Sequence, residues 1–148
     1  ALRGEGTLVT LGLGSCVAIV LHDPASGTGG LAHVLLPTRG MSRGAENPGR
    51  YPAGAVPALL ERMEALGARR DRITARLAGG ASMFSNLTPP GSIQIGERNV
   101  LATREVLRTH GIPVLGEQVG GDHGRSVHFT VATGHLEVSS VRHGVVVL

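Results

Sequence analysis

The sequence predicts a loop-rich globule that mixes helix and strand, of the α/β or α+β class. Three observations lead there. The chain has 148 residues, enough for a compact domain with a closed hydrophobic core. Its composition pairs 41% hydrophobic residues with 23 glycines, a mixture suited to short elements joined by many turns. Apolar runs of strand length also alternate with segments whose apolar residues recur at helical spacing. No internal repeat, linker or low-complexity tract divides the chain, so residues 1–148 read as a single domain.

The elements follow in order. Thr7 to Leu11 reads as a short strand, followed by the glycine-rich turn Gly12-Leu13-Gly14-Ser15-Cys16. The unbroken apolar run Val17 to Leu21 marks a buried strand. His22 to Gly29 carries the Asp, Pro, Ser and Gly of a turn, and Gly30 to Leu36 returns as a second strand stopped by Pro37. Two such runs around one turn predict a β-hairpin. Residues 38–52 are polar and aperiodic, a surface loop. Val56, Leu59, Leu60, Met63 and Leu66 then recur as one face of a helix, with Pro57 near its start and Gly67 as its C-terminal cap. Ile73 to Ala78 reads as a strand, Glu97 to His110 as a second helix, and Val114–Val119, Ser126–Ala132 and Leu136–Leu148 as further strands.

Charge narrows the function classes. All basic residues are arginines, which puts the isoelectric point near 10.4 at a net charge of only +3. Acidic residues interrupt the arginine cluster between Arg50 and Arg76, and Phe84, Phe129 and Tyr51 are the only aromatics. With so few stacking platforms and such mixed charge, nucleic acid is not the expected partner. No apolar run approaches the roughly 20 residues of a membrane span, and the first residues do not read as a signal peptide. A single cysteine excludes an internal disulfide and suits a reducing compartment, so the expected location is cytoplasmic.

Cys16 is the residue with the most chemistry to offer. A thiol is a useful nucleophile once a base or a positive field removes its proton. Gly12 and Gly14 allow unusual backbone angles in front of it, so that N–H groups of Gly14 and Ser15 can approach a reacting carbonyl. An oxyanion hole of that kind contributes about 3–4 kcal/mol to a transition state. With the hairpin turn centred near Pro24 and Ala25, residues whose numbers add to about 49 or 50 face each other, which sets Cys16 across from His33. A one-residue slip would turn one of them to the other face. The alternative is a small buried hydrophobe beside a structural histidine, and Gly12-Leu13-Gly14 alone lacks the third glycine of a dinucleotide fingerprint.

The segments Thr10-Leu11-Gly12-Leu13-Gly14-Ser15-Cys16-Val17, His22-Asp23-Pro24 and Gly29 to Pro37 closely resemble the CheD family, the chemoreceptor glutamine deamidases. The resemblance continues through Gly79 to Phe84, Ile95-Gly96-Glu97-Arg98-Asn99 and Gly120 to Val127, nearly the whole chain. It implies an α+β fold of mixed sheets with outer helices in α/β/β/α layers, related to toxin-type cysteine deamidases. It also implies a catalytic threonine, cysteine and histidine, which fall on Thr10, Cys16 and His33. The implied reaction is hydrolysis of receptor glutamine to glutamate with release of ammonia, without cofactor. The implied partners are the cytoplasmic helices of chemotaxis receptors and a phosphatase of the CheC type. Three departures accompany it. Only nine residues precede Thr10, where the family has a further strand; Pro52, Ala53 and Gly54 follow Tyr51 in place of an acidic residue; and Arg76 stands for a lysine.

Gly80, Ala81 and Ser82 are expected to line the substrate channel, and Ser82 and Asn99 are the polar side chains within that motif set that a carboxamide could meet. No metal is expected, since His123 and His128 lie five apart with no His-Glu-x-x-His pattern. Another cysteine amidase or peptidase, or a non-enzymatic chemotaxis interaction module, is the rival reading.

Overall fold

The computed structural model describes residues 1–41, 47–84, 87, 89 and 91–148. The strands are β1 (Leu2–Arg3), β2 (Thr7–Leu13), β3 (Val17–Asp23), β4 (Thr28–Val34), β5 (Thr74–Gly79), β6 (Val114–Val119), β7 (Arg125–Thr130), β8 (His135–Ser140) and β9 (Gly144–Val147). The helices are α1 (Pro52–Ala65) and α2 (Ile95–Thr109). They build one α+β domain with two sheets. The larger is mixed, in the order β1-β4-β3-β5-β6, with β5 and β6 parallel; the smaller is antiparallel, in the order β2-β7-β8-β9.

Strand alternation assigns the two faces of β3. Val17, Ile19 and Leu21 point to a core shared with Val56, Leu60 and Met63 of α1 and with Val100 and Leu107 of α2. Ala18 and Val20 point the other way, into a second core with Leu13, Val127, Phe129 and Leu136 of the smaller sheet. Burial on both faces is why this strand reads as a continuous apolar run. Paired glycines let the layers close on β4. A Cβ on Gly30 would come within 2.6 Å of Leu59 in α1, and one on Gly29 within 2.6 Å of Phe129 in the smaller sheet.

Several expectations are corrected. Both helices pack on the same outer face of the mixed sheet, so the layer order is α/β/β; among the described residues no helix covers the outer face of the smaller sheet. That face leaves Val9 and Leu11 exposed. Leu136 to Leu148 is two strands, because residues 141–143 turn before Gly144, whose φ is +69°. A short strand does precede Thr10: Leu2 and Arg3 pair with Gly29 and Thr28. Pro57 lies inside α1 rather than at its start, which belongs to Pro52; it costs the helix one i to i−4 hydrogen bond. The loop over residues 38–52 contains single 3-10 turns at Arg39–Met41 and Pro48–Arg50, and its part at 42–46 lies outside the described residues.

Candidate active site

The hairpin forms, with a register different from the predicted one. Its turn is Pro24 to Gly27, where Asp23 Oδ1 accepts from the N–H groups of Ala25 and Ser26, and Gly27 has φ +62°. This moves the centre one residue along, to between Ala25 and Ser26. Val17 therefore faces Val34, and Ala18, not Cys16, faces His33. The shift from the pairing of Cys16 with His33 is two residues, which preserves the face. Cys16 ends as the diagonal neighbour of His33, a position about 7–8 Å away between Cα atoms. The two make no hydrogen bond at rest.

Thr10 is joined to His33 directly. Thr10 Oγ1 and His33 Nδ1 are hydrogen-bonded at 2.9 Å. The threonine comes from β2, in the smaller sheet, and the histidine from β4, in the larger, so this bond ties the sheets together beside the turn that carries Cys16. It also occupies one ring nitrogen and leaves Nε2 for other work.

Three carbonyls anchor the turn carrying Cys16. Gly14 O accepts from Ala81 N at 2.8 Å, Cys16 O from Gly80 N at 2.7 Å, and Ser15 O from Asn99 Nδ2 at 2.8 Å. In a trans peptide the next N–H points opposite to the carbonyl, so the N–H groups of Ser15 and Cys16 point away from these anchors. Of the backbone donors expected to meet an oxyanion, Ser15 N–H thus points away from Ala81, and Cys16 N–H away from Asn99.

A cavity of about 390 Å³ opens over this turn, lined by Gly14, Ser15 and Cys16 together with Ala81, Ser82, Met83, Phe84, Gln94 and Ile95. Ala81 and Ser82 border it as expected. Gly80 does not; its φ of +64° turns the chain under Val100. Asn99 is fully buried and cannot meet a carboxamide in the cavity.

Burial sets the resting protonation. It pushes the partly buried Cys16 thiol up, partly offset by a hydrogen bond with its own backbone. It also pushes the His33 ring down from its usual value. Both shifts disfavour charge, so thiol and imidazole rest as neutral partners rather than as an ion pair.

The histidine expected to be compared with His128 instead meets another. The His123 and His143 rings lie tilted at 47° with centroids 4.1 Å apart, and with Asp122 their ligand atoms lie within 4.8 Å of one another. The buried Arg125 guanidinium donates to His123 O at 3.2 Å, a positive charge that opposes a dication there.

Comparison with known proteins identifies the family. The model of the family described as CheD chemotactic sensory transduction matches residues 35–140. A probable chemoreceptor glutamine deamidase CheD from Desulfitobacterium hafniense is 44% identical over 142 residues, covering 96% of this chain and 88% of the relative. The chemoreceptor glutamine deamidase CheD of Thermotoga maritima is 42% identical over 97% of this chain and 87% of its own. A probable one from Archaeoglobus fulgidus is 45% identical over 93% and 85%. The family match begins just after His33, yet an alignment spanning 96% of the chain leaves no room to omit the segment from Thr10 to His33. With the family model matching residues 35–140 and these relatives aligned over most of their own length, the chain belongs to the CheD family.

Proposed function

We propose that this protein hydrolyses the side-chain amide of specific glutamines in chemotaxis receptors, with Cys16 as nucleophile, His33 as general base and acid, and Thr10 as the group that orients His33. The observation that carries this reading is the bond from Thr10 to His33, which holds an imidazole on the face and at the end of the sheet where Cys16 emerges.

The reaction divides into two acyl transfers. His33 Nε2 takes the thiol proton as Cys16 Sγ bonds to the carboxamide carbon, and the N–H groups of Ser15 and Cys16 meet the oxyanion. The imidazolium then gives its proton to the leaving nitrogen, the C–N bond breaks and ammonia departs. Water, deprotonated by His33, attacks the thioester; the C–S bond breaks, the thiol regains its proton and glutamate remains. Productive geometry requires the tautomer with its proton on Nδ1, donating to Thr10 Oγ1, so that Nε2 is the free base. Met83, Phe84 and Ile95 offer apolar walls to the methylenes of a glutamine reaching in from a protein surface. The product adds one negative charge to the receptor, which shifts a signalling equilibrium electrostatically.

Among the described residues no helix is long and apolar enough to cross a membrane. Action on receptor cytoplasmic helices places the enzyme in the cytoplasm in this reading, and a CheC-type phosphatase is its second proposed partner. The test is ammonia release from a receptor cytoplasmic fragment by wild type and Cys16→Ala. Release by wild type and none by the variant is expected; equal release removes Cys16 from the mechanism.

A further inference from the structure

We infer that Asn99 is a positioning residue that sets the distance between the nucleophile turn and the histidine strand. Its amide nitrogen donates to Ser15 O at 2.8 Å and to Leu35 O at 3.1 Å. Ser15 immediately precedes the nucleophile, and Leu35 lies two residues beyond His33. One side chain thus spans the two segments whose separation decides whether Sγ and Nε2 can meet. The hairpin register leaves Cys16 one step outside the ladder that holds His33, so sheet hydrogen bonds alone do not fix that separation.

The local construction serves this bridge. Asn99 lies one turn into α2 and is fully buried. Its own carbonyl accepts from Thr103 Oγ1 at 2.8 Å. Gly96 brings the helix close enough: a Cβ there would lie 2.4 Å from Ala81 O and 2.6 Å from Gly80 O. The first turn of α2 therefore rests against the Gly80-Ala81 segment while Asn99 reaches past it to both carbonyls. Asn99 Oδ1 has no hydrogen-bond partner among the described residues. A buried amide oxygen left bare costs about 1–3 kcal/mol, which offsets part of what the two donated bonds contribute to the fold. Both donated bonds go to carbonyls flanking the reacting pair.

This inference rests on Cys16 and His33 acting as a pair, and the experiment separates the two claims. Asn99→Ala and the milder Asn99→Ser are compared with wild type and His33→Ala by circular dichroism, thermal midpoint, the pH profile of Cys16 alkylation by iodoacetamide, and kcat and KM on a receptor fragment. The expected result is a folded Asn99 variant whose kcat falls about 10²-fold with KM within about twofold, the scale of a 1 Å misplacement. Its alkylation profile moves toward that of His33→Ala. Asn99→Ser recovers part of the loss through its one donor. A folded variant with wild-type kcat and an unmoved alkylation profile overturns the inference, as does a drop in kcat that merely tracks the loss of folded protein. If His33→Ala turns over the receptor fragment at the wild-type rate, the pair itself fails, and Asn99 has nothing to position.

Discussion

Replacing Thr10 by valine removes one hydroxyl and little else, because the two side chains have nearly the same shape and valine suits a strand. Thr10 sits in β2 opposite Val127 and bonds His33 Nδ1 at 2.9 Å. At rest the ring is neutral, and a neutral hydrogen bond is worth about 0.5–1.5 kcal/mol net, whereas one to a charged group is worth about 1.5–3 kcal/mol. Only the difference counts toward the rate, since in the proposed mechanism His33 becomes an imidazolium in the transition state and is neutral before it. That difference, about 1–1.5 kcal/mol, corresponds to a fall in kcat of roughly 5- to 12-fold. Thr10→Ser should keep most of the activity, and KM should stay nearly constant for both. Steady-state ammonia release with a receptor fragment measures all three quantities. A Thr10→Val enzyme within twofold of wild type would remove Thr10 from the mechanism. One as inactive as His33→Ala would make Thr10 a reacting group rather than an orienting one.

Three further outcomes follow from the same geometry. Burial holds His33 below its ordinary 6.5 and Cys16 above its ordinary 9.0, so kcat/KM should climb on an acid limb below pH 6.5 and stay level past pH 9.0; a midpoint above 6.5 would contradict a buried neutral base. Gly79 has φ +107°, and a Cβ there would lie 2.2 Å from Cys16 O. Gly79→Ala should lower stability in urea by more than about 2 kcal/mol, well beyond Gly111→Ala, where φ is +69° but no atom stands within 4 Å. At Asp23, burial pushes the carboxyl up, but the Arg69 N–H, the Arg72 guanidinium and Ser26 outweigh it and bring the value from 3.8 to about 2. A lowered folded-state value stabilises above the unfolded one, so about 2 kcal/mol should be present above pH 4 and lost as pH falls toward 2; Asp23→Asn should abolish that acid dependence in denaturation curves.

What the sequence made legible depended on whether a signal was local. The apolar run Val17 to Leu21, the strand start at Thr7 and the helix face Val56-Leu59-Leu60-Met63 carry their periods within a few residues, and the structure follows them. The hairpin was legible as a hairpin, while its register was not. Register depended on Asp23 bonding Ala25 and Ser26 and on Gly27 turning left-handed, details that shift a turn centre without changing its composition. Same-face placement of Cys16 and His33 survived because the displacement was two residues. The meeting of Thr10 with His33 joins different sheets, so no spacing along the chain could reveal it; only the family resemblance named Thr10. Layer order was hidden for the same reason, since periodicity says that a helix has an apolar face and not which sheet receives it. Asn99 carried one available clue, its place in the Ile95 to Asn99 motif, but its partners Ser15 and Leu35 lie 84 and 64 residues away.

The resting neutrality of Cys16 and His33 bears on why the site is assembled from separate layers. A preformed thiolate–imidazolium pair reacts with any electrophile or oxidant that reaches it. Here burial opposes both charges, and in the proposed mechanism the proton moves only when Sγ and Nε2 are brought together with a carbonyl carbon between the N–H groups and the thiol. Three independent constraints must then hold at once: Asn99 fixes the turn to the strand, Thr10 fixes the ring from the other sheet, and the hydrogen bonds to Gly80 and Ala81 fix the backbone that carries the thiol. Each is short-ranged, and each comes from a different element. A glutamine side chain entering the 390 Å³ cavity beside Met83 and Phe84 displaces water from around Cys16, which strengthens the charge developing on the carbonyl oxygen against the fixed N–H donors. Reactivity is thereby tied to occupancy, so iodoacetamide, which brings no such filling group, should alkylate wild-type Cys16 slowly near pH 7 even while the enzyme turns over a receptor fragment at the same pH.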